Sequence, residues 1–207
     1  MARTARAGLE PAPGELRILQ ALANTAAVGG ESEHLTDPQA LARLLTDEKL
    51  LDRGVELTAD DLQRVIAFRD GLRDLFLVNS GAAFSGRVRD RLNELVQGVP
   101  MRLSFVDQGA IRVEPSSEGF DEVVGRLLGI VAQAQVDGVW RRLKVCVDSE
   151  CRRTFYDRSK GVTTVWCMKR CTNRHHARKR RRRQGVSTQP DRQRPSGAAP
   201  SKPRRIR

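Results

Sequence analysis

Apolar residues recur at helical spacing along the first two thirds of the chain. Leu16, Leu19, Leu22 and Ala23 fall on one stripe and predict a helix over 15–27, ended by Gly29-Gly30. Thr36-Asp37-Pro38 predicts a second helix, because proline suits a first turn where its missing N–H is not needed. Leu41, Leu44 and Leu45 are its expected buried stripe. Thr58 and Asp61 resemble a capping box, with Asp in place of the usual Glu. They open a third helix with Leu62, Val65, Ile66, Leu72, Leu75 and Phe76 on one face. Gly71 inside it costs about 1 kcal/mol relative to Ala, which points to a close helix contact. Ser85 opens a fourth helix with Val88, Leu92, Leu95 and Val96 inward. The period then changes to two: Met101, Leu103 and Phe105 alternate with polar residues, as do Ile111 and Val113 after Asp107-Gln108-Gly109. That predicts a β-hairpin. Ser116 or Ser117 is expected to cap a long helix carrying Phe120, Val123, Val124, Leu127, Leu128 and Val131, which stops by Gly138.

Composition supports a folded body and adds a partner. Of 207 residues, 39% are hydrophobic, enough for a core, and only 4% are aromatic, so Leu, Val, Ile and Ala must build it. No window approaches the run of about 18 apolar residues that spans a membrane, and residues 1–14 lack the apolar stretch of a secretory signal. The net charge is +12, but it is unevenly placed. Residues 1–138 hold 15 Lys+Arg against 21 Asp+Glu, hence −6, and residues 139–207 hold 22 against 4, hence +18. The acidic body should avoid nucleic acid, and the basic end should seek it. Four regions follow: a flexible N-terminus (1–14), a helical body (15–138), a compact cysteine module (139–183) and a basic tail (184–207). The tail is too poor in apolar residues to offset chain entropy and is expected to be disordered.

All four cysteines lie in the basic end, as Cys146 and Cys151, then Cys167 and Cys171. Four residues separate the first pair, fifteen lie between the pairs and three separate the second. Two close pairs joined by a short loop suit a tetrahedral Zn²⁺, each pair taking one edge. Two disulfides or free core thiols are the alternatives. A reducing compartment disfavours disulfides, and a module of 45 residues has too little core to fold without a staple. His175 or His176 could substitute, but four thiolates already complete a shell. Leu143-Lys144-Val145 and Thr163-Thr164-Val165-Trp166 are expected to lead into the two pairs as short strands. After Cys167 the chain turns helical and very basic, and Arg170, Arg174, Arg178 and Arg181 share one stripe. Such a dense array suits phosphates; a solubilising or targeting tail is the plainer explanation. Base readout would need Asn173 on adenine or an arginine fork on guanine.

The segments Leu143-Lys-Val-Cys-Val-Asp-Ser-Glu-Cys151, Phe155-Tyr-Asp-Arg-Ser159 and Trp166-Cys-Met-Lys-Arg-Cys-Thr-Asn-Arg174 resemble the CGNR zinc finger, whose signature stands here at Cys171-Thr172-Asn173-Arg174. Proteins with this finger usually carry an N-terminal helical ABATE domain, described as a stress-induced transcription regulator. Leu22-Ala23-Asn24-Thr25 and the Leu-rich helices after Thr36 and Thr58 are similar to it. The resemblance covers about 15–183. It implies a DNA-binding finger with Cys146, Cys151, Cys167 and Cys171 as ligands of one structural zinc. Thr172 departs from the signature Gly. A β-branched residue does not readily take φ > 0, whereas within a helix it costs only a few tenths of a kcal/mol.

The expected fold is mainly α (α+β). A helical domain with a small hairpin precedes a treble-clef-like or zinc-ribbon-like finger that ends in a basic helix. The expected function is a zinc-dependent DNA-binding transcription regulator, responsive to stress or a ligand, cytoplasmic and nucleoid-associated in a bacterium. Lys169, Arg170, Asn173, Arg174, Arg178, Lys179, Arg181 and Arg182 are the expected nucleic-acid contacts. No phosphate loop, catalytic triad or HExxH motif occurs, so no enzyme is expected. Two rival readings stand beside this one. The first is an RNA-binding or ribosome-associated protein. The second is a ligand-binding or enzymatic body that the basic end merely localises, with Asn24, Arg69 and Arg73 as the polar residues for an anionic ligand. A small-molecule effector and a homodimer are further partners to consider.

Overall fold

The computed structural model describes residues 9–183, so the expectations for 1–8 and for the tail 184–207 fall outside the described residues. The elements run α1 (Leu16–Ala23), α2 (Pro38–Asp47), α3 (Ala59–Asn79), α4 (Gly86–Val96), β1 (Met101–Phe105), β2 (Ile111–Pro115), α5 (Phe120–Val136), β3 (Leu143–Val145), β4 (Thr154–Tyr156) and α6 (Lys169–Arg183). The chain is mainly helical with two small antiparallel hairpins, β1–β2 and β3–β4. No helix among the described residues is long and apolar enough to cross a membrane.

Helix α3 is the axis of the fold. Its start is fixed by reciprocal caps: the Thr58 hydroxyl accepts from the Asp61 N–H at 3.1 Å, and the Asp61 carboxylate accepts from the Thr58 N–H at 2.9 Å. Asp37 caps α2 in the same way, accepting from the Ala40 N–H at 2.7 Å. From α3, Leu62, Val65, Phe68, Leu72 and Phe76 enter one core with Leu19 and Leu22 of α1, Leu41 and Leu45 of α2, and Val123, Leu127 and Ile130 of α5. Gly71 does mark a close contact, since a Cβ there would lie 2.4 Å from Leu92 Cδ2 of α4. Helix α4 is otherwise peripheral: none of its residues is fully buried.

Three local expectations change. Helix α1 stops at Ala23, short of 27. The cap of α5 is Gly119 at φ +67°, a conformation glycine takes without strain, and neither Ser116 nor Ser117 fills that position. The strand expected at 163–166 does not form, and β4 lies at Thr154–Tyr156 instead. The 163–166 segment keeps one ladder-like bond, Val147 N–H to the Val165 carbonyl at 3.1 Å. Both backbone groups of Thr164 go to side chains instead: Lys144 donates to the Thr164 carbonyl at 3.0 Å, and Asp157 accepts from the Thr164 N–H at 3.0 Å.

Of the expected N-terminal segment, the described residues from Leu9 onward pack on the rest of the chain. Leu9 is buried against the cysteines, and Ala12 N–H donates to Gln20 Oε1 at 2.6 Å. Arg158 holds the same segment through the Pro11 carbonyl at 2.6 Å and the Glu10 carboxylate at 2.9 Å.

Candidate metal centre and nucleic-acid interface

The second hairpin is set into the helical body. Leu143 and Val145 of β3 are fully buried in the main core. Asn24 pairs with Thr154 like a strand neighbour: its side chain donates to the Thr154 carbonyl at 2.9 Å and accepts from the Thr154 N–H at 2.8 Å. Asn79 donates to the carbonyls of Trp140 and Leu143 at 3.0 and 2.9 Å. The Ser80 hydroxyl donates to the Val145 carbonyl at 2.8 Å and accepts from the Val145 N–H at 3.1 Å. Arg73 donates to the carbonyls of Ala23 and Arg152, both at 2.9 Å. Burial, then the neighbouring Arg69 charge, lowers the Arg73 pKa from its ordinary value. Arg69 is itself buried, with Glu33 at 2.8 Å and Asp70 at 2.9 Å as partners. Asn24, Arg69 and Arg73, considered above for an anionic ligand, therefore all have partners within the chain.

The hairpin loop and the start of α6 bring the four cysteines together. Their sulfurs all lie within 4.8 Å of one another, and Cys146, Cys151 and Cys171 are buried. Cys151 and Cys167 stand 3.4 Å apart, and Cys167 and Cys171 stand 3.8 Å apart. A disulfide needs about 2.05 Å, so these are four separate thiols. Sulfurs about 2.3 Å from a shared Zn²⁺ in a tetrahedron would be about 3.8 Å apart, which the spacing fits. The chemistry of the set agrees. As free thiols, the four compete for negative charge. Hydrogen bonds from Cys146 and Cys167 hold the Cys151 thiol far below its ordinary pKa. Hydrogen bonds with Cys146 and Cys151, then burial, push Cys167 far up. Burial, then the hydrogen bond with Cys151 and the Cys146 and Cys151 charges, pushes Cys171 up to about 12. A divalent cation at the centre removes the penalty on four thiolates. All four positions belong to protein, so none is left for a reacting water. Neither His175 nor His176 belongs to the cluster; the His175 ring sits 5.2 Å from that of Trp166 instead.

Cys171 stands in the first turn of α6 and so ties that helix to the metal centre. Thr172 is helical and absent from the positive-φ positions, so its replacement of glycine carries only the small helix-propensity cost. Arg174 and Arg178 lie on the same side of α6 as Cys171. Arg174 donates to the buried Asp148 carboxylate from Nε at 2.7 Å and Nη2 at 2.5 Å, and the same Nη2 also lies 3.6 Å from the Cys171 sulfur. Arg178 reaches Asp148 at 3.2 Å and also pairs with Glu150. Burial opposes the Asp148 charge, but the Arg174 hydrogen bonds, the Glu150 N–H and the Arg174 charge outweigh it and hold the pKa below the usual carboxylate range. These two arginines clamp the helix to the loop between the first two cysteines.

The opposite face of α6 carries Asn173, His176, Lys179, Arg180 and Arg183, which line one shallow surface recess. None of these side chains has a protein hydrogen bond or ion pair among the described residues, and α6 has no acidic residue. Lys169 and Arg170 at its start and Arg181 and Arg182 near its end are exposed. Of the expected nucleic-acid contacts, Asn173 and Lys179 lie on this free face, whereas Arg174 and Arg178 face the acidic loop. His176, Arg180 and Arg183 join the free face. Counting i, i+3, i+7 and i+10 from Asn173 finds them, once the acids Asp148 and Glu150 are assigned to the other side.

Comparison with known families agrees with this anatomy. The family described as ABATE, "Putative stress-induced transcription regulator", matches residues 4–139, and the CGNR zinc finger matches residues 142–184. No curated protein matches the chain. A helical body joined to a four-cysteine module with a basic helix is thus no accident of composition: the chain belongs to the ABATE family and carries a CGNR zinc finger at residues 142–184.

Proposed function

We propose that the chain is a zinc-dependent, DNA-binding regulator of transcription, and that the free face of α6 is the surface that meets the phosphates. The observation that carries this is the division of the helix. One face is fixed by Cys171, Arg174 and Arg178, and the other holds Lys179, Arg180 and Arg183 without a counter-charge. A cationic helix held rigidly at one end is an arrangement for a polyanion; a solubilising tail needs no such anchor. We assign base readout to Asn173 and the exposed Arg170, whose side chains have the donors it needs. The zinc holds the finger together, and with no open ligand position it serves no catalytic step. The body would supply sensing or self-association, and the natural compartment is the cytoplasm, at the nucleoid in a bacterium.

Duplex DNA is favoured over single-stranded RNA by the aromatics. Phe155 is buried beside the cysteines, Trp166 packs against His175, and Arg158 lies 5.5 Å over the Tyr156 ring. Few platforms remain for the stacking that single-stranded recognition uses. The test is fluorescence anisotropy of the zinc-loaded chain on duplex DNA, with a structured RNA as competitor. Four cations on phosphates (Lys169, Lys179, Arg180 and Arg183) give a slope of log K against log salt of at least about −3. No binding at about 50 mM salt, or stronger competition by RNA than by DNA, would overturn the reading.

A further inference from the structure

The β1–β2 hairpin presents an open edge. Its register pairs Arg102 with Glu114, Leu103 with Val113 and Ser104 with Arg112. The flanking bonds are Ser116 N–H to the Pro100 carbonyl at 3.0 Å and Val106 N–H to the Ala110 carbonyl at 2.8 Å. Antiparallel ladders alternate bonded and non-bonded pairs, so Arg102/Glu114 and Ser104/Arg112 are the bonded ones. The N–H and C=O groups of Met101, Leu103 and Phe105 therefore point away from β2. No other strand among the described residues takes that edge. The far side of β2 is different: α5 closes on it through glycines. A Cβ at Gly129 would lie 2.9 Å from the Val113 carbonyl oxygen, and one at Gly125 would lie 2.6 Å from Pro115 Cβ.

Two of these three residues expose their side chains, while Met101 is half-buried beside Gly125 of α5. Leu103 is 71% exposed, Phe105 80%, and Ile111, across from Phe105, 57%. An edge strand with an alternating apolar face and only one charge is poorly protected against pairing. We propose that this edge pairs with the β1 strand of a second copy, antiparallel about a two-fold axis at Leu103. The sequence of the strand chooses the occupant. With Leu103 opposite Leu103, Met101 stands opposite Phe105, and all three open residues of each copy gain hydrogen-bond partners. On the other face Arg102 stands opposite Ser104, so no like charges are directly opposed. A foreign strand would need to supply this match, whereas a second copy has it by symmetry. The result is a four-stranded sheet in which the apolar side chains of the two copies adjoin. The seam is small beside the roughly 1,200–2,000 Å² of standard interfaces, so dissociation constants on the order of micromolar are expected.

Sedimentation velocity on the full, zinc-loaded chain tests this from about 1 μM to about 200 μM, a range that brackets micromolar affinity. The mass should rise from 23.1 kDa towards twice that value. Leu103→Lys should stay monomeric throughout, and the exposure of Leu103 lets it fold normally. Site-specific cross-linking gives an independent readout. Directly opposed bonded residues lie about 5.5 Å apart, within disulfide reach, so Leu103→Cys should form a covalent dimer under oxidised glutathione. Arg102→Cys meets its own copy only on the diagonal, about 8 Å away, and should not. A wild type that stays monomeric over the whole range overturns the proposal. So does a Leu103→Lys chain that dimerises as well as wild type, or an Arg102→Cys chain that cross-links as readily as Leu103→Cys.

Discussion

Replacing Asn24 with Ala asks whether the body and the finger form one folding unit. The side chain makes two bonds to Thr154, donating to its carbonyl at 2.9 Å and accepting from its N–H at 2.8 Å. Thr154 is wholly buried, so truncation leaves a donor and an acceptor without partners. Each orphaned group costs about 1–3 kcal/mol. Asn24 is only partly buried, which lets water recover some of this, so the pair is worth about 2–4 kcal/mol. For a domain of this size each kcal/mol moves Tm by about 2–4 °C, giving a fall of about 4–16 °C. Because Leu143 and Val145 sit in the body's core, the zinc-loaded protein should melt in one transition, and the variant should shift the whole of it. Scanning calorimetry of the two proteins is the assay. A variant within about 1 °C of wild type, or a finger that melts apart from the body, would refute the reasoning.

Other outcomes follow from the same geometry. Gly125→Ala should destabilise by about 1–3 kcal/mol in urea unfolding, because its Cβ meets Pro115 at 2.6 Å and backbone stands behind that contact. Gly71→Ala should be near neutral: the clash at 2.4 Å is with the tip of Leu92, and the gain in helix propensity of about 1 kcal/mol offsets its displacement. A larger loss at Gly71 than at Gly125 would contradict this packing. Cys167→Ser should lose bound zinc by metal analysis, and unchanged stoichiometry would refute the ligand set. Zinc must displace protons from the thiols, with Cys171 held at about 12 in the metal-free cluster. Uptake should therefore release protons, and chelator competition should show weaker binding at about pH 6 than at about pH 8; the opposite order would contradict thiolate ligation.

The sequence was most legible where local chemistry decides structure. The capping box at Thr58 and Asp61 and the proline start of α2 stand as their residues imply, and the change of period at Met101 gives the β1–β2 hairpin. The cysteine spacing converges on one cluster. What stayed hidden was set by long-range contacts. Arg69 and Arg73 look like solvated helix positions, yet partners 36 and 79 residues away enclose them. The strand expected at 163–166 lost its ladder to Lys144 and Asp157, side chains whose reach no periodicity reports. The division of α6 was partly readable. Residues 139–207 hold only four acids, and three of them, Asp148, Glu150 and Asp157, pair with Arg174, Arg178 and Lys144. A scarce acid in a basic module marks the arginines that hold structure.

That division is the central claim, and one comparison tests it most directly. The salt dependence of duplex DNA binding is measured for wild type, for Arg180→Ala/Arg183→Ala on the free face, and for Arg174→Ala on the clamped face. Each lost phosphate contact reduces the slope of log K against log salt by about 0.9. The free-face pair should therefore flatten the slope by nearly two, with the melting temperature unchanged. Arg174→Ala should keep the slope and lower the melting temperature, because Asp148 loses its closest partner. A slope that Arg174→Ala flattens and the free-face pair leaves intact would contradict the account.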